Sequence, residues 1–89
     1  MKQQNVLNGV RAYVTENFLY MRPDTQLGDD DSLMGTGIID SMGVMEVIAF
    51  LEEEFGVIVD DSDITEANLG TLNAIAAYIV PRMQERQTA

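Results

Sequence analysis

The residues best able to do chemistry lie near the middle of the chain, in the run Gly-Ile-Ile-Asp-Ser-Met-Gly at positions 37–43. Ser41 follows Asp40 where a glycine-containing loop gives way to a segment with helical apolar spacing. We therefore expect Ser41 at the start of a helix, where Ser and Asp are favoured as N-caps. Its hydroxyl has two interpretations: an ordinary helix cap, or an exposed point for attaching another group.

Catalysis by the chain itself is not expected. The sequence has no histidine and no cysteine, which excludes Ser-His-Asp and Cys-His catalysis and zinc sites built on those ligands. A base for Ser41 would have to be a carboxylate or Lys2. An 89-residue chain offers little room for the closed cleft that shifts carboxylate pKa values. We predict no catalytic residue; a hydrolase built on Ser41 alone is the remaining enzyme alternative.

Three consecutive acids, Asp29, Asp30 and Asp31, raise the question of a calcium site. An EF-hand loop beginning at Asp29 would place Leu33 and Met34 where a ligand and the essential glycine belong. The spacing therefore excludes that loop. We predict no dedicated metal site and leave weak adventitious cation binding open.

The charge of the chain indicates its partners. The formal net charge is −10, and no Lys or Arg lies between Arg22 and Arg82. Such a field repels nucleic acid and anionic lipid and attracts basic protein surfaces. We predict no nucleic-acid binding; the alternative is a solvated acidic surface that aids solubility.

Length and composition indicate a single domain over residues 1–89, with about residues 5–84 structured and the termini flexible. The N-terminus lacks the apolar segment of a secretory signal, and no apolar run approaches the ~20 residues of a membrane span. Together with the absence of cysteine, these features predict a monomeric cytoplasmic protein without a transmembrane segment.

Apolar spacing predicts four helices. The first covers about residues 5–21 and ends at Arg22-Pro23, because the residue before proline disfavours helix. The second covers 41–55, after a long connector pinned by Leu27, Leu33 and Ile39. Gly56 should cap its end, and residues 57–59 should form an extended connector rather than a strand.

The remaining helices are shorter or less regular. Asp63 with Glu66 resembles a capping box for a short third helix over 63–68. Thr71 should cap the fourth helix, Pro81 should fray or kink it, and the tail from Glu85 should be disordered. The predicted fold is all-α: a small four-helix bundle of three main helices and one short one, with a long loop between helices 1 and 2.

The second helix has two apolar faces. The core stripe comprises Val44, Val47, Ile48, Leu51 and Phe55. A different side carries Met42, Met45 and Ala49, interleaved with Glu46 and Glu53. Because a helix packed on one side should be polar on the other, that second side is either also buried or a docking surface.

These features resemble the acyl carrier protein family over almost the whole chain. Asp40-Ser41-Met42 at a helix start is similar to the Asp-Ser-Leu attachment motif of that family. The resemblance extends to the acidic loop before it, the acids of the second helix, the apolar connector and the Leu-Gly-Thr-Leu run at 69–72.

The resemblance implies a cofactor and partners. A phosphopantetheinyl transferase would attach 4′-phosphopantetheine to the Oγ of Ser41, with Asp40 positioning the serine, and the arm would carry an acyl or aminoacyl thioester. Loading ligases and acyltransferases with basic patches would be the other partners. The implied docking face comprises Met42, Met45, Glu46, Ala49, Glu52 and Glu53. Long acyl chains would enter the apolar space between the helices.

Departures from the family pattern narrow the expected function. Met42 replaces the common leucine, and Ile38-Ile39 stand where fatty-acid carriers more often have small residues. Together with Gly43, these residues look closer to D-alanyl carriers and other specialised stand-alone carriers. Three alternatives for the function stay open. The chain could carry an acyl cargo in fatty-acid or polyketide metabolism, or an aminoacyl cargo for the cell envelope or nonribosomal peptides. It could also be an acidic interaction module that binds partners without a covalent group.

Overall fold

A computed structural model of the chain describes residues 2–20 and 24–88. Its elements are α1 (Lys2–Phe18), α2 (Ser41–Phe55), a 3₁₀ turn (Asp61–Asp63), α3 (Glu66–Leu69) and α4 (Leu72–Thr88). Within these described ranges no strand occurs. The predicted all-α class, with three long helices, one short helix and a long first loop, is confirmed.

The core is built around α4, which packs against each of the other three helices. Apolar residues spaced three to four apart point inward from each long helix, as the sequence predicts. The fully buried ones include Val10 and Val14 of α1, Leu51 of α2, and Ile75 and Ile79 of α4. Each such side chain contributes about 1.5–3 kcal/mol on burial, and none of the described polar or charged residues is buried.

Helix α1 ends at Phe18, three residues before its predicted end at Met21, and the N–H of Leu19 donates to the carbonyl of Thr15 at the last turn. The predicted stop at Arg22-Pro23 lies outside the described residues.

The long connector before α2 is fixed to the body of the protein. Leu27, Leu33 and Ile39 are buried, which confirms that they pin it. The N–H of Leu33 donates to the carbonyl of Gly70 at 2.8 Å, and that of Asn73 donates to the carbonyl of Asp29 at 3.0 Å. These contacts hold the connector at the junction of α3 and α4 and so fix where α2 begins.

The segment after α2 follows the prediction. Gly56 adopts the left-handed conformation (φ 67°) and its N–H donates to the carbonyl of Glu52, which confirms it as the C-cap. Val57 and Val59 are buried while Ile58 is exposed. This alternation of an extended chain covers the core without forming a strand.

The predicted capping box of Asp63 and Glu66 is wrong. Helix α3 begins at Glu66, and its N-cap is Thr65, whose side chain accepts from the N–H of Asn68 at 3.2 Å. The carboxylate of Asp63 instead accepts from the hydroxyl of Tyr78 at 2.7 Å, a contact between distant residues that local spacing does not reveal.

Helix α4 begins as predicted, with the Thr71 hydroxyl accepting from the N–H of Ala74 at 3.0 Å. It continues without interruption through Pro81 to Thr88, so the predicted fraying at the proline is wrong. Proline removes the donor for the carbonyl of Ala77, but Ala77 is exposed and water can replace that donor. The predicted flexibility of the termini stays a prediction.

Candidate functional site

Ser41 is the first residue of α2, and Asp40, not Ser41, is the N-cap. The Oδ1 of Asp40 accepts from the N–H of Gly43 at 2.7 Å, and its carbonyl accepts from the N–H of Val44 at 3.0 Å. The interpretation of Ser41 as the N-cap of α2 is therefore wrong, and Asp40 takes that role. Because Asp40 takes the capping position, the Ser41 side chain is exposed and makes no hydrogen bond with the described part of the chain.

The backbone that leads into Ser41 is held by the core. Ile38 and Ile39 are both buried, and the N–H of Ile39 donates to the carbonyl of Leu33 at 3.1 Å. Gly37 has a positive φ of 79°, a conformation that side chains other than glycine rarely adopt. The loop therefore turns at Gly37, anchors at the two isoleucines and presents Ser41 at the surface.

Gly43 lies in the first turn of α2 where two side chains approach closely. A Cβ at this position would lie 2.9 Å from both the Cγ2 of Ile39 and the Cε1 of Phe18. Gly43 is therefore required by the packing of α2 against the end of α1. The sequence indicated Gly43 only as a departure from a family pattern.

A surface groove of about 350 Å³ adjoins Ser41 on the side of α1. Its lining residues are Phe18, Gly37, Ile38, Asp40, Met42, Gly43 and Glu46. The lining combines apolar side chains with the two carboxylates of Asp40 and Glu46, so the groove suits an apolar or cationic group rather than an anion. Phe18 was missed as a site residue, because its helical spacing marks it only as part of the core face of α1.

The second apolar side of α2 is exposed to solvent. Met42 is 78% and Met45 56% exposed, and Glu46, Ala49 and Glu53 are exposed beside them. The sequence allowed this side of α2 to be either buried or a docking surface, and its exposure excludes burial within the chain. The structure places these five residues on one surface that begins next to Ser41.

Glu52 stands apart from the other predicted docking residues. Its side chain is half-buried, and its Oε2 accepts from the N–H of Val59 at 3.1 Å. The carboxylate thus holds the connector after α2 against the helix. Sequence spacing alone grouped Glu52 with its acidic neighbours.

Tyr13 of α1 contacts α2 at Glu46 and Phe50. Its ring stacks on Phe50 with centroids 4.2 Å apart, and its hydroxyl donates to the carbonyl of Glu46 at 3.3 Å. Partial burial, with the charge of Glu46 as a smaller cause, raises the pKa of Tyr13 above its usual value. A phenol is protonated at neutral pH even at its usual pKa, and the raised pKa keeps this donor to α2 in place to higher pH.

The three consecutive acids form an ion pair and hydrogen bonds within the chain. Asp29 forms an ion pair with Arg11, Asp30 accepts from the side chain of Asn73 at 2.8 Å, and Asp31 accepts from the N–H of Gly28 at 2.8 Å. Among the described residues no group of acids is arranged to hold a metal ion. Asp29 and Asp30 instead fasten the connector to α1 and α4, and Asp31 holds a turn within the connector.

The fold and the site together define a class. A small helical bundle that presents one exposed serine at a helix start, beside an acidic face carrying methionines, is the arrangement of a carrier domain. A family profile described as the phosphopantetheine attachment site matches residues 11–79. Two proteins called D-alanyl carrier protein, from two strains of Streptococcus suis, are each 34% identical to the chain over 65 residues. The aligned part covers 73% of this chain and 81% of each relative.

The chain therefore belongs to the phosphopantetheine-binding carrier family. Members of this family bear a covalently attached 4′-phosphopantetheine, so the predicted cofactor is confirmed. They are carriers rather than catalysts, and they work with a phosphopantetheinyl transferase and with ligases. In the part of the chain that the structure describes, no helix has the length and apolar character to cross a membrane.

The residues at the start of α2 fit that group. The Ser41 hydroxyl is exposed, and the first-turn N–H groups of Ser41 and Met42 have no acceptor within the helix. These donors and the positive end of the helix dipole favour a negatively charged phosphodiester at this position.

Proposed function

We propose that Ser41 Oγ is the attachment point of 4′-phosphopantetheine and that the chain carries an acyl or aminoacyl group as a thioester on that arm. The observation that supports this most directly is that Asp40 caps α2 and leaves the Ser41 hydroxyl exposed. The chain has two other serines. Ser32 Oγ donates to Glu66 at 2.8 Å and accepts from Gly35, and Ser62 Oγ donates to Asp60 at 3.1 Å. Both hydroxyls are engaged, whereas that of Ser41 is available.

The attachment reaction belongs to the partner enzyme. Ser41 Oγ forms a bond to the phosphorus next to pantetheine in coenzyme A, the pyrophosphate linkage breaks, and adenosine 3′,5′-bisphosphate leaves. A base of the transferase accepts the hydroxyl proton, since Ser41 has no base of its own within the described residues. Bound to Ser41, the group supplies a terminal thiol for the thioester. Asp40 would position the serine by fixing the first turn of α2.

Partner enzymes would dock on the exposed side of α2. Met42, Met45 and Ala49 offer apolar contacts, and Met side chains adapt readily to different partners. Glu46 and Glu53 would attract basic patches on the transferase, the loading ligase and acyltransferases. Glu52 would contribute to docking by holding the connector after α2 in place rather than by contacting a partner, because its carboxylate accepts from the N–H of Val59.

For the cargo we favour an aminoacyl group over a fatty acyl group. The support is the 34% identity to two proteins named as D-alanyl carriers and the isoleucines that precede Ser41. A carrier for fatty-acid or polyketide metabolism and a non-covalent interaction module are the other candidates. We place the protein in the cytoplasm as a monomer, which the absence of cysteine and the net charge of −10 support.

The attachment is tested by intact mass. The protein is incubated with coenzyme A and a promiscuous phosphopantetheinyl transferase. We expect the parent to gain one phosphopantetheinyl group, and Ser41→Ala to gain none. Ser32→Ala and Ser62→Ala are matched controls and should be modified like the parent. An unmodified parent would support the non-covalent module, and a modified Ser41→Ala variant would refute the attachment at Ser41.

The docking face is tested by charge reversal. We expect Glu46→Lys to lower the kcat/KM of modification about three- to tenfold, because an exposed charge mainly affects association. Asp61→Lys makes the same charge change in the 3₁₀ turn and is the control, with an expected change below about twofold. Thermal unfolding should be nearly the same for both variants. Equal rates for Glu46→Lys and the parent would count against the assignment.

A further inference from the structure

Four aromatic side chains join α1 to α2 in a continuous row. Phe18 meets Tyr13 edge to face with ring centroids 6.1 Å apart, and Tyr13 stacks on Phe50 at 4.2 Å. Phe50 in turn meets Phe55 edge to face at 5.9 Å. All four rings are half-buried. The row therefore fixes α1 against α2 by ring contacts that stabilise beyond the burial of apolar area.

Phe18 is the member of this row that reaches the start of α2. Its Cε1 lies so close to Gly43 that a Cβ there would approach it to 2.9 Å. The same Cβ would meet the Cγ2 of Ile39 at 2.9 Å and the Oδ1 of Asp40 at 3.3 Å. Gly43 is buried in the first turn of α2, two residues after Ser41, and these three side chains enclose it.

Of these three neighbours, only Phe18 belongs to another helix. Ile39 and Asp40 directly precede Ser41, so they hold the first turn of α2 to the connector that leads into it. Phe18 instead holds this turn to α1. A groove of about 350 Å³ adjoins both its ring and Gly43, so a shorter side chain would leave open space in place of the contact.

The position of the first turn matters for attachment of the arm. Ser41 Oγ has to approach the phosphorus of coenzyme A opposite the departing adenosine 3′,5′-bisphosphate, while its proton passes to a base of the transferase. A displacement of ~1 Å from the reactive geometry costs about 10²-fold in rate. The Ser41 hydroxyl is exposed and makes no hydrogen bond with the described part of the chain. Its direction is therefore set by the backbone of the first turn.

We propose that Phe18 is a positioning residue for the attachment of phosphopantetheine: through Gly43, its ring fixes the first turn of α2 and directs Ser41 Oγ toward coenzyme A on the transferase. This inference rests on the proposed function. Phe18 acts through Gly43 rather than on the reacting atoms, and it lies on α1, outside the docking face of α2. A variant that loses the ring should therefore keep its affinity for the transferase and react more slowly once bound.

The test uses single-turnover kinetics with the transferase in excess, which separate binding from chemistry. Phe18→Leu removes the ring atom that meets Gly43 and keeps an apolar side chain. We expect its maximal rate constant to fall about tenfold, with the half-saturating transferase concentration within about twofold of that of the parent. Phe18→Met, which is flexible and also lacks the ring, is a second variant and should show the same loss. Phe18→Tyr keeps the ring and should match the parent, because the ring borders an open groove.

Phe55→Leu is the matched control at the other end of the row. It removes a half-buried ring that meets Phe50, but it lies at the opposite end of α2 from Ser41. We expect its maximal rate constant to equal that of the parent, and circular dichroism checks that each variant is folded. An unchanged maximal rate constant in the Phe18 variants without a ring, or an equal loss in Phe55→Leu, would overturn the positioning role. A raised half-saturating concentration with an unchanged maximal rate constant would identify Phe18 as a partner contact and would also overturn it.

Amide hydrogen exchange tests the fixing of the turn on unmodified protein. The N–H groups of Gly43 and Val44 donate to the side chain and the carbonyl of Asp40 at 2.7 and 3.0 Å. We expect these two amides to exchange about fivefold faster in Phe18→Leu than in Phe55→Leu. Equal exchange in the two variants would contradict the role of the Phe18 ring. A parent that gains no phosphopantetheinyl group would instead contradict the proposed function itself.

Discussion

At the start of α2, Asp40 caps the helix and Ser41 presents a free hydroxyl. The carboxylate of Asp40 satisfies the N–H of Gly43, which leaves the Ser41 hydroxyl free at the surface. A serine acting as N-cap would have its oxygen turned toward the helix and occupied. The capping aspartate therefore makes an adjacent serine accessible to a modifying enzyme, and this is why the two residues work as a pair.

Gly43 gives a prediction about packing beside that pair. Gly43→Ala should lower the free energy of unfolding by about 1–2 kcal/mol, because the new Cβ would overlap the buried Ile39 and the half-buried Phe18. Gly9→Ala is the matched control within α1, where the Cβ would meet only Phe55 at 3.4 Å. It should raise the free energy of unfolding by about 0.5–1 kcal/mol through helix propensity. Urea denaturation measures both, and a Gly43→Ala variant as stable as the parent would contradict the close packing.

At the scale of elements, the 3₁₀ turn is fixed to α4 by a cluster of three side chains. The guanidinium of Arg82 lies 3.5 Å from the centroid of the Tyr78 ring and 3.7 Å from the carboxylate of Asp63. Arg82 also donates to the carbonyl of Tyr78 at 2.8 Å. The side chain of Tyr78 thus joins the segment before α3 to α4.

This cluster predicts a stability loss at alkaline pH. Burial and, next, the hydrogen bond to Asp63 raise the pKa of Tyr78 above its usual value. The folded protein therefore retains the phenolic proton more strongly than the unfolded chain does. The associated stability is complete below the unfolded pKa of about 10 and is lost as the pH rises through the folded pKa.

The variant Tyr78→Phe tests whether the Tyr78 hydroxyl causes the loss of stability at alkaline pH. The variant should be about 1–3 kcal/mol less stable at pH 7, because Asp63 loses a donor, and it should lose less stability than the parent above pH ~10. Tyr13→Phe is the comparison: the pKa of Tyr13 is also raised, but its hydrogen bond is longer, so the loss at neutral pH should be smaller. Denaturation curves at several pH values decide. An alkaline stability loss that is the same in Tyr78→Phe as in the parent would contradict the assignment.

The sequence predicted the elements well where the signal is local. Apolar spacing and Gly56 gave α2 its bounds of Ser41–Phe55, since a helical stripe and a left-handed cap depend on neighbouring residues only. The start of α3 was predicted wrongly, because Asp63 is satisfied by Tyr78, fifteen residues away in sequence. Pro81 likewise predicted a disrupted helix, whereas α4 continues through it with the unpaired carbonyl of Ala77 exposed to solvent.

In the candidate site, too, local features could be predicted from the sequence and contacts between distant residues could not. The segment at Ser41 and the methionine side of α2 follow from local pattern and helical spacing. The pattern left open whether the Ser41 hydroxyl caps the helix and whether the methionines are buried, and the structure shows both to be exposed. The groove wall at Phe18, the packing that requires Gly43 and the bond that engages Glu52 depend on how α1 and the connectors lie against α2. Those contacts join residues far apart in sequence, so no local pattern predicts them.

At the scale of the whole molecule, charge is distributed so that one face is left acidic. Arg11 pairs with Asp29 and Arg82 lies beside Asp63, so these two arginines are used to hold connectors in place. No Lys or Arg lies between Arg22 and Arg82, a stretch that contains all of α2. The exposed side of α2 therefore keeps its negative charge next to Ser41, where a basic partner would approach.

The central claim is that Ser41 bears the prosthetic group, and the most direct test is to locate that group on the protein purified from its native host. Peptide mapping by mass spectrometry should find one phosphopantetheinyl group on the peptide that contains Ser41, with its thioester cargo attached or hydrolysed. A group found on the peptide of Ser32 or Ser62, or a protein without any such group in cells that contain an active transferase, would contradict the claim.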